Sequence, residues 1–356
     1  MRISIARPSE LGPDDIAVWH SMLRKTDSLA SPFLCPEFAV AVDKFCPNAR
    51  VAVLADGPDI VGFFPFQRRR LGVGVPIGYG INDCQGLIHA PGVEWDPPEL
   101  FRACKVSVWH FDHLVEGQRP FERYATAVAP SPVIDLTAGF AAYQEKLRAR
   151  SPKFCKNLTR GTRKLEREAG ELRFMVDSRD LAVLRALMRW KSGQYHRTGM
   201  IDIFERPWIV DVVNHLFSTH SEQFGGLLSV LYAGGAPVAA HFGLRSGHVL
   251  AQWLPAYDTR FSRQSPGLIH HLRLAEETAA LGIQLINLGR GAESYKETLK
   301  THDLFVSEGM AAPAPLLATA HRARISAVRW LGPRIRKYPH LFRAADRLLR
   351  HYGRIT

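Results

Sequence analysis

Three β-rich runs, Leu227–Ala233, Pro237–Leu244 and His248–Tyr257, are parted only by short connections at Gly234-Gly235 and Ser246-Gly247. Connections that short leave no room for a crossover, and glycine accepts the positive backbone angles of tight hairpins. The region must therefore run as an antiparallel meander. A polar loop, Asp258–Gly267, follows, and then Leu268–Leu281 reads as a helix ended by Gly282. Gln284–Leu288 is a short apolar strand, broken by Gly289-Arg290-Gly291. Ala292–Lys300 reads as a helix carrying Tyr295 and Lys296, and Asp303–Ser307 as a last strand. This order of strands and helices reads as an α/β fold.

Upstream, Phe33–Phe45 reads as a helix opened by Ser31-Pro32, and Arg50–Leu54 and Ile60–Gln67 as strands joined at Asp56-Gly57. Asn82-Asp83 sits in a glycine-rich stretch and reads as a cap, a turn or a substrate contact. Glu99–Val106 is a helix candidate, with strands at Ser107–His110 and near Arg123–Ala129. Pro130-Ser131-Pro132 marks an expected boundary, so the domains are set at 1–135, 136–310 and a tail, 311–356. Phe140–Arg148 and the basic segment SPKFCKNLTRGTRKLEREAG read as helices, the latter either a phosphate-binding stripe or a solvated face. Leu181–Thr198 is a further helix, and its end crowds Lys191, Gln194, Tyr195, His196 and Arg197 together. Pro207-Trp208 opens another, through Phe217.

At 356 residues the chain is long for one core and comfortable for two. No run approaches the ~20 apolar residues of a membrane span, and prolines and charges interrupt the start, so a cytoplasmic address is expected. The five cysteines form no C-x-x-C pair, which argues for reduced, buried thiols and against a zinc site. The net charge of +12 is lopsided: the last 46 residues hold ten Lys and Arg against Asp346 alone. The body is nearly neutral, so nucleic acid is not an expected partner of the whole chain.

The loop before Leu268 places Arg263, Gln264, Ser265 and Gly267 at a helix N-terminus, where unpaired N–H groups and a partial positive charge suit a phosphate. The same residues equally fit a capped helix, with Ser265 as N-cap and Pro266 in the first turn. No G-x-S-x-G elbow or H-E-x-x-H pair is present, so neither an acyl-serine nor a metal mechanism is supported.

The segments PVAAHFGLRSG, WLPAYDTRFSRQSPGLIHHLRLAEETAALGI and INLGRGAESYK resemble the core of the GNAT acyltransferase fold. More closely, they resemble the CelD-like acetyltransferases, related to the Fem-type peptidyl transferases that carry two such folds in tandem. SPFLCPEF, IVGFFPFQRRR and SPVIDL fall in the family's order, so the likeness spans about residues 30–308. It implies two tandem GNAT-like halves, with mixed, largely antiparallel sheets flanked by helices, and a basic helical tail. It further implies an acyl-CoA donor, expected to be acetyl-CoA, with its pyrophosphate at Arg263–Gly267, although the usual double-glycine pattern is missing there. Lys296 matches the lysine of the Fem aromatic-Lys motif, and Asn287 stands where the family usually has Asp.

Transfer to an amine needs an oxyanion donor, an acid for the thiolate and a base. Lys296 and Tyr295 are candidates for the first two, and His241 or Glu293 for the base. Asp83, Lys191, Arg197, Trp253, Tyr257 and Arg290 are candidate substrate contacts. The resemblance implies acetyl transfer to an amine or hydroxyl of a sugar, envelope, exopolysaccharide or cellulose precursor, small or lipid-linked. The alternatives are a Fem-type aminoacyl-tRNA-dependent transferase and a non-catalytic adaptor at the membrane. The tail, with Trp330 among its cations, suits an anionic membrane surface at the inner face, an acidic protein, or packing back onto the domain.

Overall fold

The computed structural model describes residues 1–312; the tail expected over 311–356 lies, from residue 313 onward, outside the described residues. The first half supplies β1 (Arg2–Ala6), α1 (Pro13–Arg24), α2 (Pro36–Phe45), β2 (Ala49–Asp56), β3 (Asp59–Arg68) and β4 (Val73–Pro76). It continues with β5 (Ile88–His89), α3 (Pro97–Cys104), β6 (Val108–Val115), α4 (Arg119–Glu122) and β7 (Ala125–Asp135). The second half opens with α5 (Gly139–Arg150), α6 (Pro152–Ala169), β8 (Leu172–Met175), α7 (Leu181–Thr198) and α8 (Pro207–Phe217). There follow β9 (Phe224–Ala233), β10 (Ala236–Ser246), β11 (Val249–Tyr257), α9 (Pro266–Ala280), β12 (Leu285–Asn287), α10 (Ser294–Leu299) and β13 (His302–Ala311).

The halves repeat one order. Two helices lead into three antiparallel strands, β2-β3-β4 and β9-β10-β11. A helix then crosses to a strand parallel to the third, pairing β4 with β6 and β11 with β12. A short helix and a long strand close each half. The meander forms as its glycines require: Gly234 and Gly235, at φ +55° and +83°, turn β9 into β10. α7 has the predicted limits, with Asp180 accepting from the Ala182 N–H at its start and Gly199 left-handed at its end.

All strands join one mixed sheet, ordered β1-β2-β3-β4-β6-β13-β7-β12-β11-β10-β9-β8, with β5 added on β3. The fold is thus α/β, a large mixed sheet flanked by helices. β13 is threaded between β6 and β7, so the last strand of the second half is bonded to two strands of the first. β7 runs straight through Pro130-Ser131-Pro132, where a break was expected. The carbonyls of Pro130 and Pro132 accept from Gly291 and Leu288, just past the end of β12. A strand residue's N–H points to the same side as its C=O, so the missing proline donors face the place where the ladder stops.

One apolar cluster crosses the halves, joining Trp19, Phe33, Phe38 and Phe63 to Leu184, Ile209, Phe242 and Trp253. The Phe33 ring meets Trp253 edge-on at 5.8 Å. Burying a side chain of that size contributes about 2–3 kcal/mol, and here the gain is shared by both halves. Of the five cysteines, all unbridged, four are buried. Among the described residues no helix is long and apolar enough to cross a membrane.

Candidate active site

β11 and β12 are parallel partners over three residues only, from Val249–Leu285 to Ala251–Asn287. β11 continues to Tyr257 while β12 ends, so the strands part and one side of β11 loses its partner. A cavity of about 430 Å³ fills the opening. The turn that ends β12 is held by Asn287, whose amide oxygen accepts from the Gly289 N–H (2.8 Å) and the Ser131 hydroxyl (2.9 Å). Both bonds need only an acceptor, which an amide supplies as well as the expected carboxylate. Asn287 therefore holds the turn rather than orienting the lysine.

Lys296, in the first turn of α10, folds back over that turn. Its ammonium donates to the carbonyls of Gly289 (3.2 Å) and Arg290 (3.0 Å) and pairs with Glu293 at 3.0 Å. Three donors meet three acceptors, and the residue is buried. An oxyanion at Lys296 would have to displace one of them. α10 is shorter than the predicted Ala292–Lys300 because Glu293 is its N-cap and Lys300, already extended, its C-cap. Tyr295 stacks on His271 of α9 with centroids 5.2 Å apart, and burial raises its phenol's pKa, with Glu293 adding to this. It stays protonated at neutral pH, as a proton donor must.

Lys191 enters from α7. Among the described residues its ammonium has a single hydrogen bond, to the Pro255 carbonyl at 3.3 Å, and it lies 5.4 Å from the Tyr195 ring centroid. Burial, and then the charge of Lys296, bring its pKa down to about 8. Arg197 is exposed and lies outside the cavity. Six residues along a helix is about 240° around its axis, so it cannot share the face of Lys191, whereas Tyr195, four residues along, does.

The first half closes the cavity opposite. Asn82 makes the turn, bonding Ile77 and Cys84, and Asp83 faces inward. Beside it His113, on β6, places Nδ1 3.0 Å from Asp112 and Nε2 3.9 Å from Asp83. Gln85 donates to Asp112 at 2.6 Å and accepts from the backbone N–H groups of Asp112 and His113. Arg290 spans the halves, bonding the Asp112 carbonyl at 2.7 Å and Glu308 at 2.6 Å. It lines the cavity with two of its five donors turned to protein.

Trp253, Tyr257, Ser265, Gly267 and Glu293 also line the cavity. Ser265 is the N-cap of α9, at φ +54°, but its hydroxyl makes no capping bond. The open helix end suits an anion. Arg263 and Gln264 lie instead in an adjoining groove of about 1070 Å³ lined by Lys156, Arg160, Arg163, Lys164 and Arg167 of α6. Gln264 donates to Glu168 there. The groove and the cavity share Ser265 and Leu268.

His241 does not line the cavity. It is sealed between β10 and α9, with both ring nitrogens unpartnered among the described residues, and burial, then His270 and His271, hold it neutral. The space for its ring exists because Gly243 has no Cβ, which would come within 2.5 Å of it. A base must reach the nucleophile, and this ring does not. Sequence reading missed His113, Gln252, His270 and His271. The signals were polar residues set into apolar patterns, WHFDHLV and GLIHHLRL.

Residues 152–297 match the family model described as an acetyltransferase (GNAT) domain. Two solved structures are similar across nearly all of their own length. One is described as the C-terminal domain of a lysylphosphatidylglycerol synthetase from Agrobacterium fabrum: 13% identity, 88% of this chain and 96% of that one, TM-score 0.52. The other is a conserved protein of unknown function from Bacteroides thetaiotaomicron: 12% identity, 87% and 99%, TM-score 0.54. At such identities the likeness speaks for the fold. No curated protein sequence matches the chain. The match covers 146 of the 356 residues, so it is the segment 152–297 that is assigned as a GNAT acetyltransferase domain.

Proposed function

We propose that the protein transfers an acetyl group from acetyl-CoA to an amine or hydroxyl of a sugar, envelope or exopolysaccharide precursor. The observation that carries the donor is the opening between β11 and β12. An extended amide-bearing chain such as pantetheine finds there the backbone groups of β11 that lack a partner strand. One end of the opening reaches the N-terminus of α9, where a pyrophosphate gains N–H groups and the cations of the α6 groove. The other end reaches Lys191, Tyr295 and Lys296, where the thioester would lie. The sugar rests on the resemblance to CelD-like proteins.

Tyr295 supplies the proton that the departing thiolate needs. Lys191, half-neutral near pH 8 and lightly bonded, is better free to stabilise the oxyanion than Lys296, whose donors hold the turn. Titration calorimetry with acetyl-CoA, with dephospho-CoA as control, tests the donor. Micromolar binding that weakens without the 3′-phosphate is expected; no heat at millimolar CoA would sink the reading. A second reading, an aminoacyl-tRNA donor, is favoured by the groove itself. Arg160, Lys164 and Arg167 follow Lys156 at near-helical spacing, about 6 Å per four residues, a stripe fit for successive phosphates. Tight, salt-dependent RNA binding without CoA binding would select it.

A further inference from the structure

We propose that Asp83, His113 and Asp112 form the receptor for the acceptor, that the acceptor is a primary amine, and that His113 takes its proton. This rests on the acyl-CoA reading above. All three residues come from the first half and lie outside the matched segment 152–297.

Asp112 orients the ring. Its carboxylate accepts from His113 Nδ1 at 3.0 Å and is itself fixed by Gln85 at 2.6 Å, which leaves the lone pair on Nε2. Nε2 faces Asp83 across 3.9 Å, and both residues line the cavity. A nitrogen about 2.9 Å from each closes a comfortable triangle on that base. A primary ammonium has three N–H groups, so it can serve both acceptors at once and still hold its substituent. A hydroxyl has one donor and leaves either Asp83 or His113 unserved. Of the cations lining the cavity, Arg290 pairs with Glu308 and Lys296 with Glu293, while Lys191 is bonded to the Pro255 carbonyl. Burial raises the Asp83 pKa, and His113, Lys296 and Lys191 offset it only in part, so a cation seated directly on the carboxylate is favoured.

The step balances. The bound ammonium gives a proton to His113 Nε2, and the free amine attacks the thioester carbonyl, forming C–N. The tetrahedral intermediate then breaks C–S, and the thiolate leaves as the thiol with a proton from Tyr295, which recovers one from the intermediate's nitrogen. Amide, CoA thiol and one proton, released later from His113, are the products. Charged neighbours set the pH range. Burial lowers the His113 pKa, but Asp112 and Asp83 together outweigh it and raise the pKa overall, with Arg290 opposing them. Lys191, Lys296 and Glu293 stand across the cavity.

The test uses the full chain with acetyl-CoA and either n-butylamine or n-butanol, following thiol release, with calorimetry for acetyl-CoA affinity. The amine should react and the alcohol should not. His113→Gln should lose about 100-fold or more in kcat, as expected for a missing general base, with acetyl-CoA affinity unchanged. Asp112→Asn should move the acid limb of kcat/KM to lower pH, which a merely structural role would not do. Equal use of both acceptors, no turnover of either by a protein that binds acetyl-CoA, or a wild-type rate and pH profile in His113→Gln each overturn the proposal. Should acetyl-CoA not bind, the donor reading falls, and histidine NMR still decides this one. The His113 signal, assigned by its loss in His113→Gln, should shift with butylammonium, and Asp83→Asn should abolish the response. An unmoved signal overturns the receptor whatever the donor.

Discussion

Lys191→Met should make the protein more stable at pH 7 and less stable at pH 10.5. The lysine's folded pKa of about 8 lies below its ordinary 10.5, so the folded state resists the proton that the unfolded chain accepts. Between about pH 8 and 10.5 the unfolded state binds more protons, and stability rises with pH across that window. Below about pH 8 the native state carries the whole cost: a gap of about 2.5 pH units at about 1.4 kcal/mol each, or roughly 3–4 kcal/mol. Against this stand the bond to Pro255, worth about 1 kcal/mol, and the Tyr195 contact, about 0.5–1 kcal/mol. Methionine keeps the stem's apolar packing and loses both. The variant should therefore gain about 1–2 kcal/mol at pH 7 and lose about 1 kcal/mol at pH 10.5, where the wild-type amine is neutral. Urea unfolding of both proteins at several pH values, followed by tryptophan fluorescence, gives the difference directly. A variant weaker than wild type at pH 7, or a difference that does not change with pH, refutes the reasoning. A cation kept against stability is what a working group in a cleft looks like.

Lys296→Met should lose about 2–4 kcal/mol, because two carbonyls of the turn are left without their donor, and turnover should fall with it. An unchanged melting temperature would show that the lysine does not hold the turn. At Asn287, substitution by Asp keeps the acceptor and should cost no more than about 1 kcal/mol, whereas Leu strands the Gly289 N–H and the Ser131 hydroxyl and should cost about 2 kcal/mol. Denaturant midpoints that rank the two substitutions the other way would reject the acceptor account.

What sequence could carry was local. The meander, α7 and α8 lie where periodicity and turn residues put them, since hairpin glycines and caps act within a few residues. α1 was missed although Pro13 and the Asp15 bond to Gly12 mark its start, because its charges and neighbouring prolines resemble a loop. The prolines of β7 misled because the side of a strand that needs no donor is decided by where another strand ends. Lys296, Tyr295, Glu293 and Lys191 were legible as chemistry-bearing residues on named helices. Their partners were not. Asp83 and His113 meet the second half only because the sheet runs unbroken from one half to the other. Arg197 and His241 had suitable chemistry but the wrong direction, which a sequence records only through exact helical phase and strand packing.

The threading of β13 also sets a timetable. β6 and β7 are neighbours in the chain, yet the place between them belongs to a strand about 170 residues further on. At ribosomal speeds of about 5–20 residues per second, the nascent first half waits roughly 10–35 s with one edge of β6 and both edges of β7 open. During that interval it is a template for any passing strand, its own sister chains included. The protein's exposure to misassembly is therefore greatest before its active cleft exists, and it ends only when the final strand is inserted.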